Sequence, residues 1–287
     1  MKRLLLCALA FSPLAWGAEA FEASLGREKD LPGGKEADGI RGDFVLRNDK
    51  VEAVISSGAP NRKANMGTFW GENGASPGSL YDLTLRGQNN DQLTAYCPAG
   101  HGPVSWVRLM EGLPSGEAAV EAVTSAGINN GIYKRVEYRI QDGKPGLFIT
   151  TTLKNESGKP QKIATKSDLT RFNTSGETVD GIIWADAVNP AHKCGYAFSS
   201  LRRTSEEPFG GDMELAPGEE ASITVFFAVA TSPAQAVGEV LFIKGRNPGV
   251  VKGRLTAPDG PVTSAVIQVP LSKKPVPAYP DENGEYE

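Results

Sequence analysis

The sequence predicts an all-β protein: a large β-sandwich from about residue 21 to 244, followed by the beginning of a second sandwich from about residue 250. Three observations carry this. Short runs with alternating apolar residues recur along the chain, most of them bounded by Gly, Pro, Asn or Asp. The 33 Gly and 20 Pro in a chain that is 40% hydrophobic suit a turn-rich globular protein rather than a disordered one. Helical punctuation occurs at one place only, so strands do not alternate with helices as βα units require.

The first twenty residues stand apart. Lys2 and Arg3 precede an apolar run from Leu4 to Trp16, and Ala18 and Ala20 have the small-x-small spacing of a processing site. The pattern is that of an export signal cut after Ala20. The run is thirteen residues long and broken by Ser12-Pro13, short of the roughly 20 needed to span a bilayer. Cys7 lies inside the run rather than after it, unlike a lipid-attachment cysteine. The mature chain is expected to be exported, periplasmic or extracellular, with no membrane span.

After the signal, GDFVLRNDKVEAVIS reads as a hairpin. Phe44 and Leu46 share one face, Asn48-Asp49 tolerates the turn, and Val51, Ala53 and Ile55 alternate behind it. SLYDLTLR, VSWVRLM, AAVEAVTS, IYKRVEYRIQ, GLFITTTLKN, KIATKSDLTRF, GIIWADAV and ASITVFFAVA follow as strands. One helix is expected at SPAQAVGEVLFIK, with Ser232 as cap, Pro233 in the first turn and Gln235 three residues after the cap. KGRNPG, centred on residues 245–249, is a linker.

Beyond the linker, Val251, Gly253 and Leu255 lead to the turn Asp259-Gly260-Pro261-Val262. Ala265 and Ile267 follow, then Asp281, Gly284 and Tyr286. This pattern resembles the carboxypeptidase regulatory-like domain, a seven-stranded sandwich of transthyretin type. The strands that follow in that family do not follow here, and a sandwich without them would expose unpaired edges. The resemblance therefore implies that residues 250–287 open a module of a longer multidomain protein. A half-module completed by a partner strand is the competing reading.

The large domain is similar, through RVEYRI to LTRF and LAPGEEASITVFFAVATSPAQA, to the supersandwich of galactose-mutarotase-like domains. GDFVLRNDKVEAVIS, NANMG and SLYDLTLRGQNNDQLTAY look like the front of exported proteins that often carry a PHP-type metallohydrolase downstream. The resemblance implies contact with carbohydrate. Mutarotase-type enzymes use His with a carboxylate base; with two His in the whole chain, no catalytic residue is carried over.

The formal charge of −4, with both signs interspersed, provides no basic stripe for nucleic acid. No P-loop, dinucleotide fingerprint or nucleophile elbow occurs. Four residues form two tight groups, Cys97 with His101 and His192 with Cys194. In an oxidising compartment a Cys97–Cys194 disulfide is the first reading. A structural zinc held by Cys97, His101, His192 and Cys194 is the second, although the spacings match no standard zinc pattern. Unpaired, unrelated residues are the third.

The glycine-rich loop SGAPNRKANMGTFWGENGASPGSL places Arg62, Asn65, Phe69 and Trp70 together, an aromatic and amide set that suits a sugar, with Asp82, Asn90 and Asp91 expected nearby. The plainer reading is that Phe69 or Trp70 covers the core and Asn-Asn-Asp makes a turn. Asp168, Asp180 and Asp186 are the carboxylates that a sugar-active enzyme would use. Solvated ion pairs and strand-end turns explain the same residues. The expected function is that of a non-catalytic, exported ligand-binding or scaffolding region, with carbohydrate as the candidate ligand. The alternative is a hydrolase, sugar-active here or metal-dependent downstream.

Overall fold

A computed structural model describes residues 17–58, 77–170, 175–178, 180–187, 193–203, 211–271 and 273–287. Along the chain β1 (Glu19–Glu22), β2 (Phe44–Arg47), β3 (Val51–Ile55), β4 (Leu80–Leu85) and β5 (Ala95–Cys97) come first. A run of edge-to-centre strands follows: β6 (Trp106–Leu109), β7 (Glu117–Thr124), β8 (Ile132–Gln141) and β9 (Gly146–Asn155). Then come β10 (Gln161–Ala164), β11 (Asp168–Thr170), β12 (Ser175–Glu177), β13 (Ile183–Asp186), β14 (Gly195–Arg203), β15 (Asp212–Leu215) and β16 (Glu220–Ala230). The helix α1 (Pro233–Ile243) closes the domain. Six two- or three-residue strands end the chain: β17 (Gly253–Arg254), β18 (Thr256–Ala257), β19 (Gly260–Pro261), β20 (Ile267–Val269), β21 (Val276–Ala278) and β22 (Glu285–Tyr286).

Two sheets make the sandwich. The smaller has the order β1-β2-β3-β4-β5-β11; the larger, β12-β13-β14-β16-β9-β8-β7-β6. All named pairs are antiparallel, so alternate residues of each strand point into one shared core. Phe44, Leu46, Val51, Ala53 and Ile55 of the predicted hairpin meet Val136, Tyr138, Ile140, Leu147, Ile149 and Phe227 of the large sheet there. The fold class is all-β, as the alternation predicts, with α1 as its single α-helix among the described residues. No helix of the described residues is long and apolar enough to cross a membrane.

Residue chemistry explains the ends of these elements. Asn48 Oδ1 accepts from Lys50 N and Val51 N at 2.8 and 2.9 Å, closing the β2–β3 turn with its own side chain. Ser232 Oγ accepts from Gln235 N at 3.2 Å and caps α1. Gln235 turns back one residue further than a standard capping box, to Thr231 N and Thr231 Oγ1 at 3.2 and 2.7 Å.

One expected strand divides. KIATKSDLTRF does not continue as a unit: β10 pairs with β15, while β11 joins β5 in the other sheet. The break lies at Thr165, whose N and Oγ1 both donate to Gly211 O at 2.8 and 3.0 Å, and at Ser167, whose Oγ accepts from Ala99 N. β11 thereby crosses between sheets and leaves an opening beside it.

At the C-terminus, the two ends of the regulatory-like pattern meet. Gly253 pairs with Tyr286, and a Cβ on Gly253 would lie 2.3 Å from the Tyr286 hydroxyl, so a larger residue there would displace the ring. β21 packs on α1, with Val276 in a cluster with Trp184, Phe226 and Val240.

Candidate functional site

The opening beside β11 is a cleft of about 330 Å³ between the sheets. Its floor is the inward face of the large sheet beyond the cover of the small one. Register places Thr151 beside Ile223 and Ile149 beside Val225, with Ser200 paired to Val225, and Ile183 paired to Phe198. The wall is the segment between the two crossing strands, Thr165 to Ser167, with Leu169, Ala99 and Tyr96. Tyr96 and Phe198 set two rings at the back, 6.0 Å apart and tilted by 48°. A volume at the lower end of the roughly 300–1,000 Å³ typical of ligand sites suits one small molecule.

The chemistry of the lining is amphipathic. Five Ser and Thr residues, Thr151, Thr165, Ser167, Ser199 and Ser200, and the Tyr96 phenol interrupt an aliphatic and aromatic surface, and Lys166 is the one charged residue in the described lining. That lining contains no carboxylate and no imidazole, hence no pair that could serve as acid and base.

Of the residues singled out in the sequence, Arg62, Asn65, Phe69, Trp70 and His192 lie outside the described residues. Asp82 and Asp91 are fully buried and Asn90 nearly so; the two carboxylates work on the backbone and Asn90 on a neighbouring hydroxyl. Asp82, on the outer side of the small sheet, accepts from Asp38 N at 2.8 Å and Gly39 N at 2.9 Å, which ties the loop ahead of β2 to β4. Asp91 Oδ1 accepts from Leu83 N and Leu93 N, and its Oδ2 has no hydrogen-bond partner. Asn90 bonds to the Thr84 hydroxyl.

Burial pushes the Asp82 carboxyl up to about 7. Burial and then the Asp82 charge raise Asp91 well above the usual carboxylate range. The Asn-Asn-Asp run is thus turn and loop chemistry folded inward.

Nor do the three other carboxylates converge. Asp168 lies on the outer side of the small sheet, since its neighbour Leu169 turns inward to the cleft. Asp180 is exposed in a turn, 3.5 Å from Arg246. Asp186 is buried against Tyr279 of the C-terminal segment, whose hydroxyl donates to it.

The expected disulfide is not formed. Cys97 and Cys194 are both buried free thiols, Cys97 in a small cluster with Tyr81 and Ala95, Cys194 in the main core with Ala187 and Tyr196. This separation also dismantles the four-residue zinc set, and no three His, Cys, Asp or Glu among the described residues form a group that could hold a metal ion. Cys97 instead neighbours His101, whose Nε2 lies 3.1 Å from Asp168 Oδ2.

The cleft itself was missed in the sequence. Its signal was Thr151 and Ser200, polar residues on the inward face of strands otherwise Ile, Val and Phe, two register positions apart.

No family model matches the chain, and no curated protein matches it. Solved structures similar to it include a TPR-domain containing protein from Parabacteroides distasonis ATCC 8503, with TM-score 0.46 and 11% identity over 77% of this chain and 56% of that one. The galactosidase domain of an alpha-galactosidase-sucrose kinase has TM-score 0.39 and 10% identity over 68% of this chain and 41% of that one. A galactose mutarotase-like protein from Lactobacillus casei ATCC 334 has TM-score 0.36 and 9% identity over 66% of this chain and all of that one. The chain spans about half the length of the first two. At these identities and TM-scores the likeness assigns no activity to this chain.

Proposed function

We propose that this protein is a non-catalytic ligand-binding module that holds a single sugar unit in the cleft between its sheets. The observation that carries the reading is the cleft lining. Apolar residues and two aromatic rings match the C–H face of a pyranose, hydroxyls match its O–H edge, and the described lining holds no acid–base pair to act on the bond. The lack of convergence of Asp168, Asp180 and Asp186 weighs in the same direction.

Calorimetric titration with methyl glycosides of galactose, glucose and mannose tests it. Ser200→Trp places an indole in the cleft from an exposed position, and binding should fall at least tenfold with the fold intact. Turnover of aryl glycosides by the purified chain would contradict the non-catalytic reading.

The reading extends to an exported protein in which residues 250–287 begin a regulatory-like module that positions further domains. Glu19 and Ala20 occupy half of β1, where they pair with Arg47 and Leu46, and Glu19 contacts Arg47 Nε at 2.5 Å. A cut after Ala20 removes these contacts, so N-terminal sequencing of the exported protein is expected to find Phe21 first with β1 reduced to Phe21 and Glu22. An N-terminus at Met1 would contradict export by this signal.

A further inference from the structure

Outside the cleft, three side chains that bear chemistry form a chain. Cys97 and Asp168 are directly opposed in the β5–β11 pair, so their side chains share one face, opposite that of Tyr96 and Leu169. Sequence alone would leave His101 four residues further on, but the intervening turn brings it back. Ala99 and Gly100 both adopt left-handed conformations, with φ of 51° and 76°, and Gly100 N donates to Cys97 O at 3.1 Å.

That turn is held from two sides. Lys134 Nζ donates to Gly100 O at 3.0 Å, and Ala99 N donates to Ser167 Oγ at 3.2 Å. The His101 ring then hydrogen-bonds to Cys97 and sets its Nε2 against Asp168. The hydrogen bond to Cys97 is the main cause holding His101 above the usual imidazole range, and the Asp168 charge adds to it.

His101 neighbours both the thiol and the carboxylate, and exposure rises from Cys97 to Asp168. Cys97 is 1% exposed, while the side chains of His101 and Asp168 are 32% and 57% exposed. The three side chains do not form a group that could hold a metal ion. An imidazole beside a thiol makes the thiolate available, and a carboxylate behind the imidazole fixes its orientation. The near-complete cover of Cys97 makes a small peroxide, rather than a bulky electrophile, the reagent to consider.

We infer that Cys97 is a reactive thiol, with His101 as its base and Asp168 as a positioning residue, which hydrogen peroxide oxidises to the sulfenic acid. His101 takes the thiol proton. The thiolate sulfur attacks one peroxide oxygen, the S–O bond forms and the O–O bond breaks, and the departing hydroxide takes the proton from the imidazolium and leaves as water. The sulfur loses two electrons and the peroxide gains them. This modification site is independent of the cleft.

The test treats the native full chain with hydrogen peroxide, unfolds it, alkylates the remaining thiols and reads the Cys97 and Cys194 peptides by mass spectrometry. Cys194 is the internal reference, because burial pushes its thiol far above the usual range. Cys97 should lose its alkylatable thiol on the order of tenfold faster than Cys194, and dithiothreitol should restore it. In His101→Ala, or His101→Gln if the alanine variant does not fold, the Cys97 rate should fall on the order of tenfold at neutral pH and its rise with pH should move upward. Asp168→Asn should shift the same pH profile by less. Equal rates for the two cysteines, or a Cys97 rate and pH profile unchanged by the His101 substitution, would overturn the proposal.

Discussion

The cleft and the acidic loop against β4 are two places where polar side chains gather on this sandwich, and they are built in opposite ways. Around Asp82 and Asp91 the polar atoms are turned onto backbone amides, and burial drives the carboxyls toward their neutral forms. In the cleft the hydroxyls are spread over an apolar floor with room left between the sheets. The first arrangement holds a loop in place. The second leaves space for a ligand. A dense cluster of polar residues in a sequence therefore marks, in this protein, a point of structural closure rather than a point of recognition.

The largest effect should come from breaking the closed region. Asp82→Ala leaves Asp38 N and Gly39 N without their acceptor in a buried loop, at about 1–3 kcal/mol for each orphaned donor. Urea unfolding should show that loss while glycoside binding, corrected for the folded fraction, stays unchanged. A variant as stable as the parent would show that the loop is not held by this carboxylate.

A smaller effect is expected from pH. Asp82 binds its proton in the folded state up to about pH 7 and in the unfolded chain only near the ordinary carboxylate value of 3.8. Between those values the folded state holds more protons, so stability rises as pH falls. His101, raised in the fold, acts in the same direction: its contribution is complete below the ordinary imidazole value of 6.5 and is lost as pH rises through its folded value. The urea midpoint should be higher at pH 5 than at pH 8, and Asp82→Asn should flatten part of the trend. A midpoint that rises with pH would contradict the placement of these groups.

The smallest effect on stability should come from the cleft. Ser200→Trp, at an exposed position beside a strand irregularity, should change the unfolding free energy by no more than about 0.5 kcal/mol while it removes binding. A large loss of stability would show that the cleft wall is part of the structural core.

The contrast also explains what was legible in the sequence. Alternation at Phe44, Leu46, Val51, Ala53 and Ile55 is a local property, and so are the Asn48 turn and the Ser232 cap; each was readable because its cause lies within a few residues. The division of KIATKSDLTRF was not, because it depends on Thr165 reaching Gly211, 46 residues away. Cys97 and Cys194 invited pairing by count alone, but their separation is set by the topology of both sheets. The floor of the cleft is assembled from β9, β13, β14 and β16, and Thr151 and Ser200 are unremarkable until the pairing of these strands puts both on its face. Turn residues such as Asn90 and Asp91 share their chemistry with binding residues, and only burial distinguishes the two uses.

The most direct test of the cleft as a binding site is methyl-detected NMR of isoleucine-labelled protein during titration with the three methyl glycosides. Ile149, Ile183 and Ile223 line the cleft, whereas Ile55 and Ile140 lie in the closed core. The account predicts saturable shifts of the first three with the last two unmoved, and loss of those shifts in Ser200→Trp. Shifts confined to other isoleucines, or none at glycoside concentrations that saturate a millimolar site, would contradict it.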